Sequence, residues 1–264
     1  MEVKGLQFDY QMRIHYSEPI HRCHFTLKCF PMQDARQKVI DCKTELLPQA
    51  SFAEGTDSFG NPLIFGSIKE AGSFFSVRVT GEIALLQTEY EAADAEEPFL
   101  YRNPHGMNRA GSHIRAYFAT ICDTLPDGAL ARAEAIMHAL HRDFSYEKGC
   151  TDTNTPAETA FAQGKGVCQD YTHIYIALCH LAGIPARYVT GLLVGEGESH
   201  AWVEVLVQGK WIGLDVTNDV PVTDSHIKFG HGRDAADCRL NTGIFYGTAQ
   251  QTQSAVAVVR LLEQ

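Results

Sequence analysis

Apolar and polar residues alternate along the first third of the chain. Phe8, Tyr10, Met12, Ile14 and Tyr16 are separated by mostly polar positions. Cys23, Phe25, Leu27 and Cys29 repeat the pattern, and Phe75, Val77 and Val79 resume it. A period of two buries one face of a strand and solvates the other, as in an antiparallel sheet. Turn formers punctuate the runs at Ser17-Glu18-Pro19, Pro31, Pro48 and Asp57-Ser58-Phe59-Gly60-Asn61-Pro62. Short strands at this spacing predict an antiparallel β-sandwich-like module over residues 1 to about 86.

Acidic residues then crowd together at Glu89, Glu91, Asp94, Glu96 and Glu97, followed by Pro98 and Pro104. A like-charged run of this kind reads as a solvated linker. The boundary is therefore placed near residue 105. This gives a β-rich unit over 1–104 and a second unit over 105–264.

Beyond the boundary the apolar period lengthens. Ile114, Phe118 and Ile121, then Leu130, Ala133, Ile136, Met137 and Leu140, recur at helical spacing. Thr155-Pro156-Ala157-Glu158 reads as a helix start, with Thr155 as cap, Pro156 in the first turn and Glu158 completing a capping box. A further helix is expected from Cys168 to Ala182, stopped by Gly183 and followed by Pro185. Strands are expected at 187–194, 200–207 and 210–216. The fold class is α+β.

Composition narrows the functions open to this chain. It has 264 residues, 45% hydrophobic and 20% charged, with a net charge of −10. A nucleic-acid binder usually carries a basic face, and no Lys/Arg cluster offsets the acidic background. Nucleic acid and anionic membrane surfaces are not expected partners. No apolar run approaches the ~18 residues of a membrane span, and the first ten residues lack a secretory apolar core. The eight cysteines include no Cys-x-x-Cys pair. Reduced thiols in a cytoplasm are the expectation.

One of those cysteines has a distinctive setting. In Gly164-Lys165-Gly166-Val167-Cys168-Gln169-Asp170-Tyr171, Cys168 opens the predicted helix. A helix N-terminus offers partial positive charge and unpaired N–H groups. That field favours thiolate over thiol, and the N–H groups can hold an oxyanion during acyl transfer. Cys179, mid-helix among Ile174, Ala177, Leu178 and Leu181, reads instead as core.

A hairpin supplies partners for the thiol. Gln208-Gly209 is a plausible two-residue turn between the strands 200–207 and 210–216. If Val207 pairs with Lys210, Trp202 pairs with Asp215. His200 is then the diagonal neighbour of Asp215 on one face, with Cβ atoms about 7–8 Å apart. Asp215 can orient one imidazole nitrogen while the other faces the cysteine. A one-residue slip would separate the two residues.

These residues also carry a family likeness. Gly166-Val167-Cys168-Gln169-Asp170, Gly183-Ile184-Pro185-Ala186-Arg187-Tyr188-Val189, His200-Ala201-Trp202-Val203-Glu204 and Leu214-Asp215-Val216-Thr217-Asn218 resemble the core of the transglutaminase-like superfamily. Gly232-Arg233-Asp234 and Asp57-Ser58-Phe59-Gly60-Asn61 resemble signatures of its bacterial branch. One departure is Val216, where the bacterial pattern usually has proline. The resemblance implies a papain-like α+β catalytic core with Cys168 as nucleophile, His200 as base and Asp215 as orienter. It implies acyl transfer through a thioester, with water or an amine as acceptor, on a peptide or amide substrate.

Other residues complete the expected site. Gln169, Trp202 and Asn218 are candidates for substrate contact. Asp170 is expected to act as a first-turn dipole partner, and Arg187 and Arg233 to form structural ion pairs. His173 and His180 share a helix face but show no metal-ligand set, and no EF-hand loop is present, so no metal or other cofactor is expected. Gly195-Glu196-Gly197-Glu198 reads as a flexible loop before His200. Cysteine-dependent hydrolysis of amides is the leading expectation. Transamidation by the same residues and a non-catalytic binding scaffold are the alternatives.

Overall fold

The computed structural model describes residues 3–70, 72–86, 90–93 and 97–262. Strands β1 (Val3–Leu27), β2 (Gln37–Leu47), β3 (Ser51–Thr56), β4 (Pro62–Ile68) and β5 (Gly72–Leu86) come first. Then follow α1 (Glu97–Leu100), α2 (Ser112–Ile121), α3 (Ala129–Asp143), β6 (Ser145–Tyr146), α4 (Ala157–Gln163), β7 (Lys165–Gly166) and α5 (Cys168–Leu181). The rest is strand: β8 (Ala186–Leu193), β9 (Gly195–Gly197), β10 (His200–Val207), β11 (Lys210–Asp215), β12 (Val220–Pro221), β13 (His226–Gly232), β14 (Asn241–Tyr246) and β15 (Gln251–Leu261).

The alternation read from the sequence builds β1. Phe8, Tyr10, Met12, Ile14, Cys23, Phe25 and Leu27 are all buried. β1 runs for 25 residues and belongs to both halves of one curled antiparallel sheet. Its first half lies between β5 and β15, and its second half pairs with β4 and β14. Ser17-Glu18-Pro19, expected to be a turn, lies inside this strand. The register against β5 shifts between His15 and Ile20, and Arg22 has φ 49°. Proline at such an irregularity bends a strand without ending it.

The C-terminal segment returns to this first sheet. β15 pairs with β1 from Leu6↔Leu261 to Tyr16↔Gln251. β9 then adds to the outer side of β15. The Gly195–Gly197 segment, expected to be a flexible loop, is therefore a short edge strand.

A second sheet runs β12-β11-β10-β8-β13. Its helical cover is centred on α5, whose residues Tyr171–Cys179 are all buried. Their core includes Ile136, Met137, Leu140, Ile174, Leu178, Val203, Val205 and Leu214. The core of the first sheet takes in Leu192, Ile227 and Phe229 from β8 and β13. Phe229 meets Phe8 and Tyr10 edge-on, with ring centroids 6.1 and 6.0 Å apart.

Two side-chain amides stitch the sheets together. Gln37 Nε2 donates to the Lys228 carbonyl and Gln37 Oε1 accepts from the Lys228 N–H. Asn61 does the same at His231, with bonds of 2.7 and 2.8 Å. Asn61 is held by the Asp57 carboxylate, which also takes the Phe59 N–H and the Lys28 ammonium. The Asp57–Asn61 turn thus satisfies backbone groups of the edge strand β13, which would otherwise be left unpaired on burial.

The acidic segment differs from a solvated linker where it is described. The carbonyl of Glu91 accepts the Trp211 N–H, and Ala92 bridges to Lys210. The Glu91 carboxylate pairs with Arg187 and Lys228. Those buried cations, also neutralised by Glu204, attract the segment. Glu89, Asp94 and Glu96 lie outside the described residues.

The start of α4 also differs from expectation. Pro156 occupies the cap position with no side-chain cap, and the Thr155 hydroxyl accepts from Asp152 N–H. Glu158 turns away from its own helix. Its carboxylate accepts the N–H groups of Gly111, His113 and Ile114, which open α2. Burial disfavours the ionised form, but these donors outweigh it and Glu158 has a lowered pKa.

Candidate active site

Cys168 is the first residue of α5, following Gly166 and Val167. Asp170 fastens this helix start. Its Oδ2 accepts the Val167 N–H at 2.8 Å and the Thr151 hydroxyl at 2.6 Å, while Oδ1 is buried without a partner. Burial is the main cause of its raised pKa. Asp170 is therefore a capping group as well as a charge near the helix dipole.

The hairpin places the two other residues. Gln208 and Gly209 have φ of 51° and 76°, as a type I′ turn requires. Val207 pairs with Lys210 and Val203 with Leu214. In this register His200 Nε2 lies 2.8 Å from Asp215 Oδ2. Cys168 lines the same cavity as His200. Burial disfavours the charged imidazole, but the hydrogen bond to Asp215 and the neighbouring Cys168 outweigh it and hold the His200 pKa up to about 10. Asp215 is fully buried, which raises a carboxyl pKa. The hydrogen bonds from His200, His226 and Asn218 reverse that and push it well below the usual range.

Asp215 collects more partners than the sequence indicates. Oδ2 accepts Asn218 Nδ2 at 2.7 Å and His226 Nε2 at 3.0 Å, besides His200. Oδ1 accepts the N–H groups of Thr217 and Asn218. The Nδ2 group of Asn218, a candidate for substrate contact, is thus bonded to Asp215. Trp202 is 1% exposed. Its ring stacks beside His200 at 6.2 Å and meets His226 edge-on at 5.1 Å, so it walls the site from behind. Its indole N–H has no partner among the described residues.

Cys168 and His200 open into a cavity of about 490 Å³. One wall is Tyr146, Lys148 and Gly149, and the other is the stretch from Leu193 to Ser199. Lys148 and Glu198 face each other across it, 3.6 Å apart. A larger cavity of about 610 Å³ lies between the two sheets. It shares Glu198 and Ser199 with the first and is lined by Gln169, Tyr16, Arg239 and Gln253. Gln169 therefore faces the junction between the sheets.

Other candidates resolve into structural roles. Arg187 pairs with Glu204, and Arg233 pairs with Asp237. Asp234 accepts the N–H groups of Met107 and Ala236. His173 Nε2 accepts the Ala235 N–H, and burial lowers its pKa to about 4. His180 Nε2 instead meets the Tyr101 carbonyl, so the two helix histidines have separate partners. Among the described residues two groups come close enough to hold a metal ion: His200 with Asp215 and His226, and His105 with Asp234 and Asp237. In the first group both imidazoles already bond to the Asp215 carboxylate.

Comparison with known proteins agrees with this architecture. Residues 117–216 match the family model of the transglutaminase-like superfamily core. Residues 6–84 match the bacterial transglutaminase-like N-terminal region. An uncharacterised Mycobacterium leprae protein is 38% identical over 127 residues, 44% of this chain and 45% of that one. An uncharacterised Mycobacterium tuberculosis protein is 33% identical over 135 residues, 45% of this chain and 43% of that one. The chain matches less than half the length of these relatives. The crystal structure of a "Putative Cysteine Protease" from Cytophaga hutchinsonii superposes with a TM-score of 0.82 at 21% identity, covering 100% of this chain and 92% of that one. At that identity the match shows a shared fold, a papain-like α+β core behind an antiparallel sheet. No helix among the described residues is long and apolar enough to cross a membrane.

Proposed function

The chain carries a transglutaminase-like superfamily core behind a bacterial transglutaminase-like N-terminal region, and from that premise we propose that it is a cysteine-dependent enzyme hydrolysing peptide or amide bonds. The observation that carries this reading is the bonding of His200. Its Nε2 meets Asp215 at 2.8 Å, and the ring shares the mouth of one cavity with Cys168.

The chemistry follows from those contacts. Cys168 gives its proton to His200, and the sulfur attacks the amide carbonyl carbon. The tetrahedral oxyanion sits at the start of α5, where the Cys168 N–H is a donor. The C–N bond breaks as His200 returns the proton to the leaving amine, leaving a thioester on Cys168. Water then attacks the thioester and gives a proton to His200. The acid departs, and the proton returns to the Cys168–His200 pair. Asp215 holds the ring in one tautomer throughout and stabilises its charged form.

In this reading residues 105–264 form the catalytic unit and residues 1–104 the β-rich unit. The first sheet, completed by β9 and β15, borders the cleft through the larger cavity. All eight cysteines are free thiols, which supports a reducing cytoplasm as the working compartment.

The test is a mixture of peptides incubated with wild type and with Cys168→Ala, and products read by mass spectrometry. The reading expects new carboxylic-acid ends or side chains in the wild-type reaction alone. Added primary amine separates the alternatives. Conjugates outnumbering acids would make the enzyme a transamidase, and equal activity of Cys168→Ala would overturn cysteine catalysis. Binding of peptides without any product would mark a scaffold.

A further inference from the structure

His226 is a buried imidazole that the proposed chemistry leaves unused. It is 4% exposed and opens β13, two strands away from His200 across β8. On β8, Gly191 pairs with His200 on one side and Lys228 on the other, and Leu193 pairs with His226. A Cβ at Gly191 would stand 2.7 Å from the Trp202 ring and 1.9 Å from the Ile227 carbonyl oxygen. The bare glycine backbone thus lets Trp202 lie close over the sheet, and the Trp202 ring in turn meets both imidazoles.

Two partners flank the His226 ring. Asp215 is an ionised acceptor, so the Nε2 atom of His226, 3.0 Å from Oδ2, carries the hydrogen. Nδ1 lies 3.0 Å from the Ser225 hydroxyl, which can donate or accept. The Asp215 contact therefore sets Nε2 as the donor whichever role Ser225 takes.

Asn218 and the N–H groups of Thr217 and Asn218 also bond to Asp215, but they come from the turn just after it and move with it. His200 and His226 come from other strands. His226 is therefore the anchor, independent of His200, that ties Asp215 Oδ2 to the body of the sheet.

We propose that His226 is a positioning residue for this site, holding Asp215 Oδ2 where it orients His200. The proposal rests on the acyl-transfer reading above. Without the His226 donor, Asp215 can turn within its remaining bonds, and His200 loses a fixed partner. The charged His200–Cys168 pair is then populated over a narrower pH range. The ionisable groups facing His226 are Asp215 on β11, His200 on β10 and, beyond His200, Cys168 on α5. Asp224, two residues earlier, is paired with Lys4.

The experiment follows iodoacetamide alkylation of Cys168 against pH in the whole chain, with EDTA present. Wild type is compared with His226→Gln, which keeps a donor, and His226→Phe, which keeps the bulk and loses it. Loss of a hydrogen bond to a charged group corresponds to about tenfold to a hundredfold. The rate at pH 7 is expected to fall by that factor in His226→Phe. Its midpoint should move up towards that of a free thiol, with His226→Gln close to wild type. A folded His226→Phe with the wild-type profile would overturn the proposal. If His226→Phe does not fold, His226→Met, which also lacks the donor, replaces it, and an unchanged profile in that folded variant would also overturn the proposal. An ordinary thiol profile in wild type would overturn the acyl-transfer reading itself, and is distinguishable because it needs no variant.

Discussion

His200 and Asp215 are 15 residues apart in the chain, and a two-residue turn brings their side chains to 2.8 Å. The strand pairing of Val207 with Lys210 fixes which face each residue occupies. Register is therefore part of the site, because a slip of one residue would send His200 to the other side of the sheet.

Gly209 tests how firmly the turn sets that register. Its φ is 76°, and an added Cβ would meet nothing within 4 Å. Gly209→Ala is then penalised only by backbone conformation, by about 1 kcal/mol. Urea unfolding should show that loss with the His200–Asp215 contact retained. A two-residue insertion at the same place should instead abolish the reactivity of Cys168.

The raised pKa of His200 makes part of the stability depend on pH. The folded value of about 10 lies above the ordinary 6.5, so the charged ring favours the folded state. That contribution is complete below pH ~6.5 and fades as pH rises through about 10. Asp215 is shifted the other way. Its contribution is present above the ordinary carboxyl range and disappears in strong acid. Unfolding of wild type and His200→Phe should differ most near pH 6 and least above pH 10. A direct check is the His200 imidazole resonance, whose titration midpoint should drop in Cys168→Ala.

Much of this was legible in the sequence because it is local. Alternation marked β1 and β5, helical spacing marked α2 and α3, and the Gln208-Gly209 turn gave the hairpin register. Glycine and cysteine at the head of an apolar helix marked Cys168. What was not legible depends on pairing between distant segments. His226 is brought to Asp215 by the placement of β13 beside β8, which no local pattern encodes. The available signal was His226, Lys228 and His231 within a wholly buried strand, since buried polar groups require partners. The role of Glu158 was misread for a related reason. Its side chain fits a local cap, but its carboxylate bonds where the folded chain offers more donors, at the start of α2.

Glu204 lies in the same strand as His200 and serves the core. Its carboxylate pairs with Arg187 at 2.7 Å and Lys228 at 3.0 Å, both almost wholly buried. Its pKa is lowered because these cations outweigh its burial. Glu204→Gln leaves the two cations short of one carboxylate and should cost about 3 kcal/mol. Urea unfolding at pH 7 measures this, and a change under about 0.5 kcal/mol would mean that Glu91, beside both cations, and Asp34, 3.6 Å from Lys228, suffice.

Glu158 offers a separate test of a contact between helices. Glu158→Ala removes the acceptor for three N–H groups of α2. A loss of about 1–2 kcal/mol is expected, as for other helix caps. Hydrogen exchange should speed up at Gly111, His113 and Ile114 while α4 stays protected.

The most direct test of the central claim is the rate of Cys168 alkylation by iodoacetamide against pH, site by site, in wild type and His200→Ala. An activated Cys168–His200 pair predicts fast alkylation of wild type with a midpoint well below the ~8.5 of a free thiol, and loss of that advantage in the variant. Slow alkylation with the same ordinary profile in both proteins would contradict it.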